Sequence, residues 1–167
     1  MPSYQHTNAS IPTGLTVAGD VTITGNATIS GNATMSGNII RAGANSDTFS
    51  MMEATTTVTP SANANTATAT ALIPAGSVVF GITERVLTAI TGATSWRLGA
   101  SGGANNSWGN ALSVNVNTTN NLADFIATGP IFYGAATDVV MQSVGGNFTA
   151  GSVRLCVHYL KMVAPTS

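Results

Sequence analysis

Between Gly19 and Ala42 apolar and polar residues recur with a period of six. Gly19-Asp20-Val21-Thr22-Ile23-Thr24 is followed by Gly25-Asn26-Ala27-Thr28-Ile29-Ser30, then Gly31-Asn32-Ala33-Thr34-Met35-Ser36, then Gly37-Asn38-Ile39-Ile40-Arg41-Ala42. Six is even, so side chains on a strand keep their parity from one hexad to the next. Val21, Ile23, Ala27, Ile29, Ala33, Met35 and Ile39 can therefore all face one way, with the threonines and serines opposite. Glycine permits a backbone corner, and the Asn or Asp beside it tolerates turn conformations. The pattern predicts a hexapeptide β-helix over residues 19–42; the competing reading is a plain hairpin meander. Three hexads close one coil, so four hexads in one chain bury almost nothing. Three chains, each giving one side of every coil, would stack four coils around a shared apolar axis about 20 Å long. The repeat thus predicts a homotrimer with Val21, Ile23, Ala27, Ile29, Ala33, Met35 and Ile39 as the core of a short triple-stranded stalk.

Residues 43–48 read as a small polar linker, and 49–167 as short strands separated by Gly, Asn and Pro turns. Phe49–Thr59, Thr66–Ile73, Val78–Thr91, Ser95–Leu98, Ala111–Val116, Phe125–Ala127, Ile131–Tyr133, Val139–Val144 and Val153–Val163 are the predicted strands, with Gly81 as a break in the third. No amphipathic helix is evident. So many strands in so short a segment predict an antiparallel β-sandwich or jelly roll, making the whole chain all-β. The last strand places Leu155, Val157 and Tyr159 on one face and Arg154, Cys156, His158 and Leu160 on the other. Neither face is cleanly polar, which suits a central strand or a subunit interface.

Composition narrows the function. Lys and Arg number five against six Asp and Glu, and 7% of residues are charged, against about 25% in an ordinary soluble domain. Ala, Gly, Ser, Thr and Asn make up more than half the chain. With no basic face to neutralise phosphates, no nucleic-acid partner is expected. No apolar run approaches the ~20 residues of a membrane span, so no membrane insertion is expected either. The first residues carry neither the basic nor the apolar region of a leader, and none is expected. Cys156 is the only cysteine, leaving no internal disulfide and no cysteine-cluster zinc site. Asn26-Ala27-Thr28 and Asn32-Ala33-Thr34 match the glycosylation sequon, but the repeat alone forces that spacing.

Candidate chemistry is sparse. The carboxylates Asp20, Asp47, Glu53, Glu84, Asp124 and Asp138 form no local acid pair. Glu84 and Arg85 are expected to pair with neighbours across strands. His6 and His158 have no ligand partner at metal spacing in the sequence. Cys156 and His158 share a strand face, but about 7 Å separates positions i and i+2 on a strand, too far for a Cys–His nucleophile. The expectation is a non-enzymatic protein with no metal and no cofactor. Trp96 and Trp108 flank a Gly/Asn loop with Asn105 and Asn106. These four residues could form a saccharide surface, or the two rings could pack into the core. The arm 1–18, with Tyr4, His6, Ile11 and Pro12, has no periodicity; it is either a tether that orders on a partner or a loose terminus.

Val86–Gly99, Gly129–Tyr133, Gly145–Gly151 and Val153–Tyr159, in this order and spacing, resemble a C-terminal domain of tailed-phage structural proteins. That domain occurs in phage fibre or spike proteins and in related gene-transfer-agent particles. The resemblance spans roughly 72–165, and residues 19–42 are separately similar to trimeric β-helical stalks of virion fibres. It implies a capsid-decorating head spike or cement protein on the exterior of a phage particle. Tyr4, His6, Ile11 and Pro12 would then contact the major capsid protein or another virion component. The alternative it implies is a receptor-binding tail-fibre tip that recognises host surface saccharide. The family carries no catalytic residues to transfer.

Overall fold

The computed structural model describes residues 39–42, 48–120 and 129–163, all within one unit, Met35–Ser167. Of the predicted stalk core only Ile39 is included. Val21, Ile23, Ala27, Ile29, Ala33 and Met35 lie outside the described residues. So do the arm residues Tyr4, His6, Ile11 and Pro12, and the strand expected at Phe125–Ala127.

The described residues form strands and turns, with no helix. The strands are β1 (Ile39–Ala42), β2 (Thr48–Val58), β3 (Thr66–Ile73), β4 (Ser77–Thr91), β5 (Ser95–Ala100), β6 (Gly109–Leu112), β7 (Thr119–Asn120), β8 (Ile131–Tyr133), β9 (Thr137–Val144) and β10 (Ala150–Val163). They make two antiparallel sheets. One runs β1-β2-β10-β4-β7, with β8 also on β4; the other runs β3-β9-β5-β6. The architecture is all-β, as expected, and both sheets feed one core, as in a β-sandwich.

Alternation explains that core. In β10, Val153, Leu155, Val157 and Tyr159 are buried, while Arg154 is exposed and Cys156, His158 and Leu160 are half-buried on the other face. In the second sheet Trp96, Leu98, Val139 and Met141 point inward and join the same cluster. β10 is central, hydrogen-bonded to β2 along Val153–Val163 and to β4 from Ala150 to Lys161.

Three expectations need correction. Gly81 does not break β4. The strand runs through it, and a register shift between His158 and Tyr159 lets it continue. Glycine's lack of a side chain suits such a bulge, which also reverses the side-chain parity of β4. The strand expected at Ala111–Val116 ends at Leu112. Ser113 Oγ accepts from Asn115 N, and Thr118 Oγ1 donates to Asn115 O. These local side-chain bonds compete with a regular ladder. The segment still follows β4 irregularly, through Ile90 N donating to Val114 O and Asn117 N to Val86 O. Finally, Ile39–Ala42, the end of the fourth hexad, forms an antiparallel hairpin with β2, Ile39 opposite Met51 and Ala42 opposite Thr48.

Two turns carry the chain between the sheets and lie side by side. Residues 92–94 link β4 to β5, and residues 145–149 link β9 to β10. Thr94 N donates to Val144 O, Thr149 N donates to Thr91 O, and the hydroxyls of Thr91 and Thr149 are 2.7 Å apart. Gly92 sits at φ +87°, where a side chain would run into Asn147 O and Thr149. Phe148 between them is fully buried, its backbone bonded to Asn63 and Ala64.

Candidate functional site on the outer face of the six-stranded sheet

Register places the outward side chains of β2, β10 and β4 in three bands. Nearest the C-terminal end of β10 is an apolar band. Phe132 is opposite Val78, Val78 opposite Leu160, and Leu160 opposite Met51. Phe132 is 67% exposed and Met51 55%, and Met162, on the same face of β10, is exposed too. Val78 and Leu160 are half-buried.

The middle band holds His158 opposite Glu53, then Cys156 between Thr55 and Thr83. A ligand atom from each of Glu53, Cys156 and His158 lies within 4.8 Å of the other two. Cys156 Sγ donates to Glu53 Oε2 at 3.6 Å. His158 Nε2 is 2.9 Å from Thr83 Oγ1, which fixes the ring. Burial pushes the Cys156 thiol up; the hydroxyls of Thr55 and Thr83 offset this in part, while the charge and hydrogen bond of Glu53 add to it. A nucleophilic cysteine needs the reverse, a cationic neighbour that favours the thiolate. The thiol proton goes to a carboxylate and the imidazole to a hydroxyl, so no Cys–His pair forms.

The last band sets Arg154 opposite Arg85, flanked by Thr57 and Thr119. Arg85 Nη2 donates to Asn117 Oδ1. A shallow open depression runs along Thr83, Arg85, Thr119, Arg154, Cys156 and His158. Glu84 and Arg85, expected to pair with neighbours across strands, lie in register with Asn120 and Thr119 of β7, and Arg85 bonds to Asn117 just before it. Being adjacent they face opposite ways, Glu84 buried and Arg85 exposed.

The Trp loop is placed differently. Trp96 is 0% and Trp108 2% exposed. Trp96 Nε1 donates to Ser113 O and Trp108 Nε1 to Tyr133 Oη, so each ring packs in the core with its one polar atom satisfied. Neither indole offers a face to a saccharide. Asn105 and Asn106 are exposed, and Asn105 Nδ2 donates to Gln142 Oε1. The loop thus folds back over the second sheet, above Gly99, where a Cβ would collide with Ala104 and Asn105.

Sequence reasoning missed Glu53 as a partner of His158 and Cys156. The pairing spans 103 residues, and no local spacing encodes it. The one available signal was the mixed outer face of the last strand, where a cysteine and a histidine alternate. No protein-family profile and no curated protein matches this chain.

Proposed function

We propose that the chain is a non-enzymatic structural protein of a bacteriophage virion, a homotrimeric head spike or cement protein on the capsid exterior. The observation that carries this reading is the apolar band of Phe132, Val78, Leu160 and Met51, open on the outer sheet face. In a chain with 7% charged residues, such a band is a self-association surface, and its occupants are further copies of the same chain. The first three hexads, residues 19–36, supply the reason for three copies, because three chains close the coil that one cannot. The strand order β2-β10-β4-β7/β8 facing β3-β9-β5-β6 supports a jelly roll, a fold common in capsid domains. Three N-terminal arms, each carrying Tyr4, His6, Ile11 and Pro12, would grip the capsid together, so weak single contacts add to durable attachment. Burial of Trp96 and Trp108 removes the aromatic platform of the saccharide-binding alternative.

Light scattering on the full-length chain tests the assembly. The expected mass is three times 16.8 kDa, falling in the double variant Leu160→Glu, Met51→Glu while the β-type circular dichroism persists. A wild-type mass of one chain overturns the reading. Copy number per particle tests the location: hundreds mean decoration, a dozen or fewer mean the tail.

A further inference from the structure

The chain holds one cysteine, two histidines and six carboxylates in 167 residues. The cysteine, one histidine and one carboxylate converge on a single patch of the outer sheet face, held there by two strands. We infer that Glu53, Cys156 and His158 form a binding site for a divalent transition-metal ion of the zinc type, stapling β2 to β10. This does not rest on the virion reading.

Geometry and chemistry agree. The three ligand atoms lie within 4.8 Å of one another, and Cys156 Sγ to Glu53 Oε2 is already 3.6 Å. Around a tetrahedral zinc, ligand atoms sit roughly 3.5 Å apart. Small side-chain rotations close the rest, since Glu53 is exposed and its carboxylate already faces Cys156 Sγ. The backbone frame is rigid: Glu53 is in register with His158, and Cys156 with Thr55 and Thr83. The Thr83 hydroxyl orients the imidazole, as outer hydrogen bonds do around metal-bound histidines.

The donor set selects the ion. Thiolate, imidazole and carboxylate suit zinc and its neighbours in the first transition row, whereas calcium and magnesium prefer all-oxygen sites. Ligation replaces the S–H bond with a sulfur–metal bond and releases one proton to solvent. Thiolate and carboxylate then balance the charge of the ion. Three protein ligands leave a fourth position open to water. Cys156 and His158 line the open depression and Glu53 is exposed, so an ion reaches the site from solvent; Arg85 and Arg154, one band away, oppose its approach and must be offset by the thiolate and carboxylate.

The test uses full-length protein, reduced, stripped with a chelator and desalted. It is titrated with Zn2+ in a calorimeter and with Co2+ in a spectrophotometer. One ion per chain is expected, with a near-ultraviolet thiolate-to-cobalt band. Since Cys156 is the only cysteine, that band has no other source. It disappears in Cys156→Ser, and affinity falls at least about tenfold in His158→Gln and Glu53→Gln, while His6→Gln binds as wild type. Zn2+ raises the wild-type melting temperature by a few degrees and leaves Cys156→Ser unchanged. Absence of the cobalt band in the wild type overturns the inference, and that arm needs no variant to fold. So does zinc binding of unchanged stoichiometry and strength in Cys156→Ser and His158→Gln.

Discussion

Burial holds the Cys156 thiol protonated, and the Glu53 carboxylate to which Sγ donates reinforces this. The thiol therefore holds its proton more tightly in the folded chain than in the unfolded one. Tyr133 and Tyr159 behave alike: burial raises both, offset for Tyr133 by the hydrogen bond from Trp108. For an acid with a raised folded pKa, the unfolded state loses its proton first as pH climbs, so stability falls. The metal-free protein should keep its melting temperature through neutral pH. It should decline from about pH 9, the ordinary thiol value, and more steeply from about 10, the ordinary tyrosine value. Thermal denaturation between pH 7 and 11 measures this. In Cys156→Ser the first part of the decline disappears, and identical curves for the two proteins would contradict the assignment. Cys156 and His158 could be read from sequence as residues sharing a strand face. Their meeting with Glu53 could not, because it depends on which distant strand lies beside β10 and in what register.

Strands were legible wherever alternation or an apolar run was bounded by turn residues. Thr66–Ile73 and Ile131–Tyr133 form as read, and β2, β4, β9 and β10 begin within three residues of expectation. Reading failed where polar side chains bonded to nearby backbone, as the hydroxyls of Ser113 and Thr118 do to Asn115, and where a glycine marked a bulge rather than an end, as at Gly81. The blocks around Gly92 and Gly145–Thr149, distinctive in the sequence, are the paired crossings between the sheets. Their residues are constrained by close contact between the two turns: a Cβ on Gly92 would meet Asn147 O, and one on Gly146 would meet Gly92 O. Gly92→Ala forces a side chain into a left-handed backbone region and against Asn147 O. It should destabilise the fold by about 1–3 kcal/mol, read as a lower urea midpoint. Gly102→Ala also meets φ +80°, but has open space around it, and should cost less. Equal losses in the two variants would mean that the crossing is not tightly packed.

Across the whole molecule, charge is too scarce to organise assembly. Two of the five basic residues oppose each other in one band, a repulsive arrangement, and the apolar band lies at the other end of the same face. If that band joins the copies, association ignores salt. The mass by light scattering should stay at three chains from low salt to about 1 M, where charges are screened beyond roughly 3 Å. Dissociation at high salt would shift the contact to Arg85 and Arg154.

The place of β1 and β10 in the sheet also sets how the domain bears load. A pull entering from the N-terminal side reaches β1, a four-residue strand paired, among the described residues, with β2, and can unzip that ladder one pair at a time. A pull entering at the C-terminus reaches β10, clamped on both sides, and must shear two ladders at once. Were the chain held at its N-terminal end, the short β1–β2 ladder would be a compliant element in series with the stiffer β10 and would be expected to peel first.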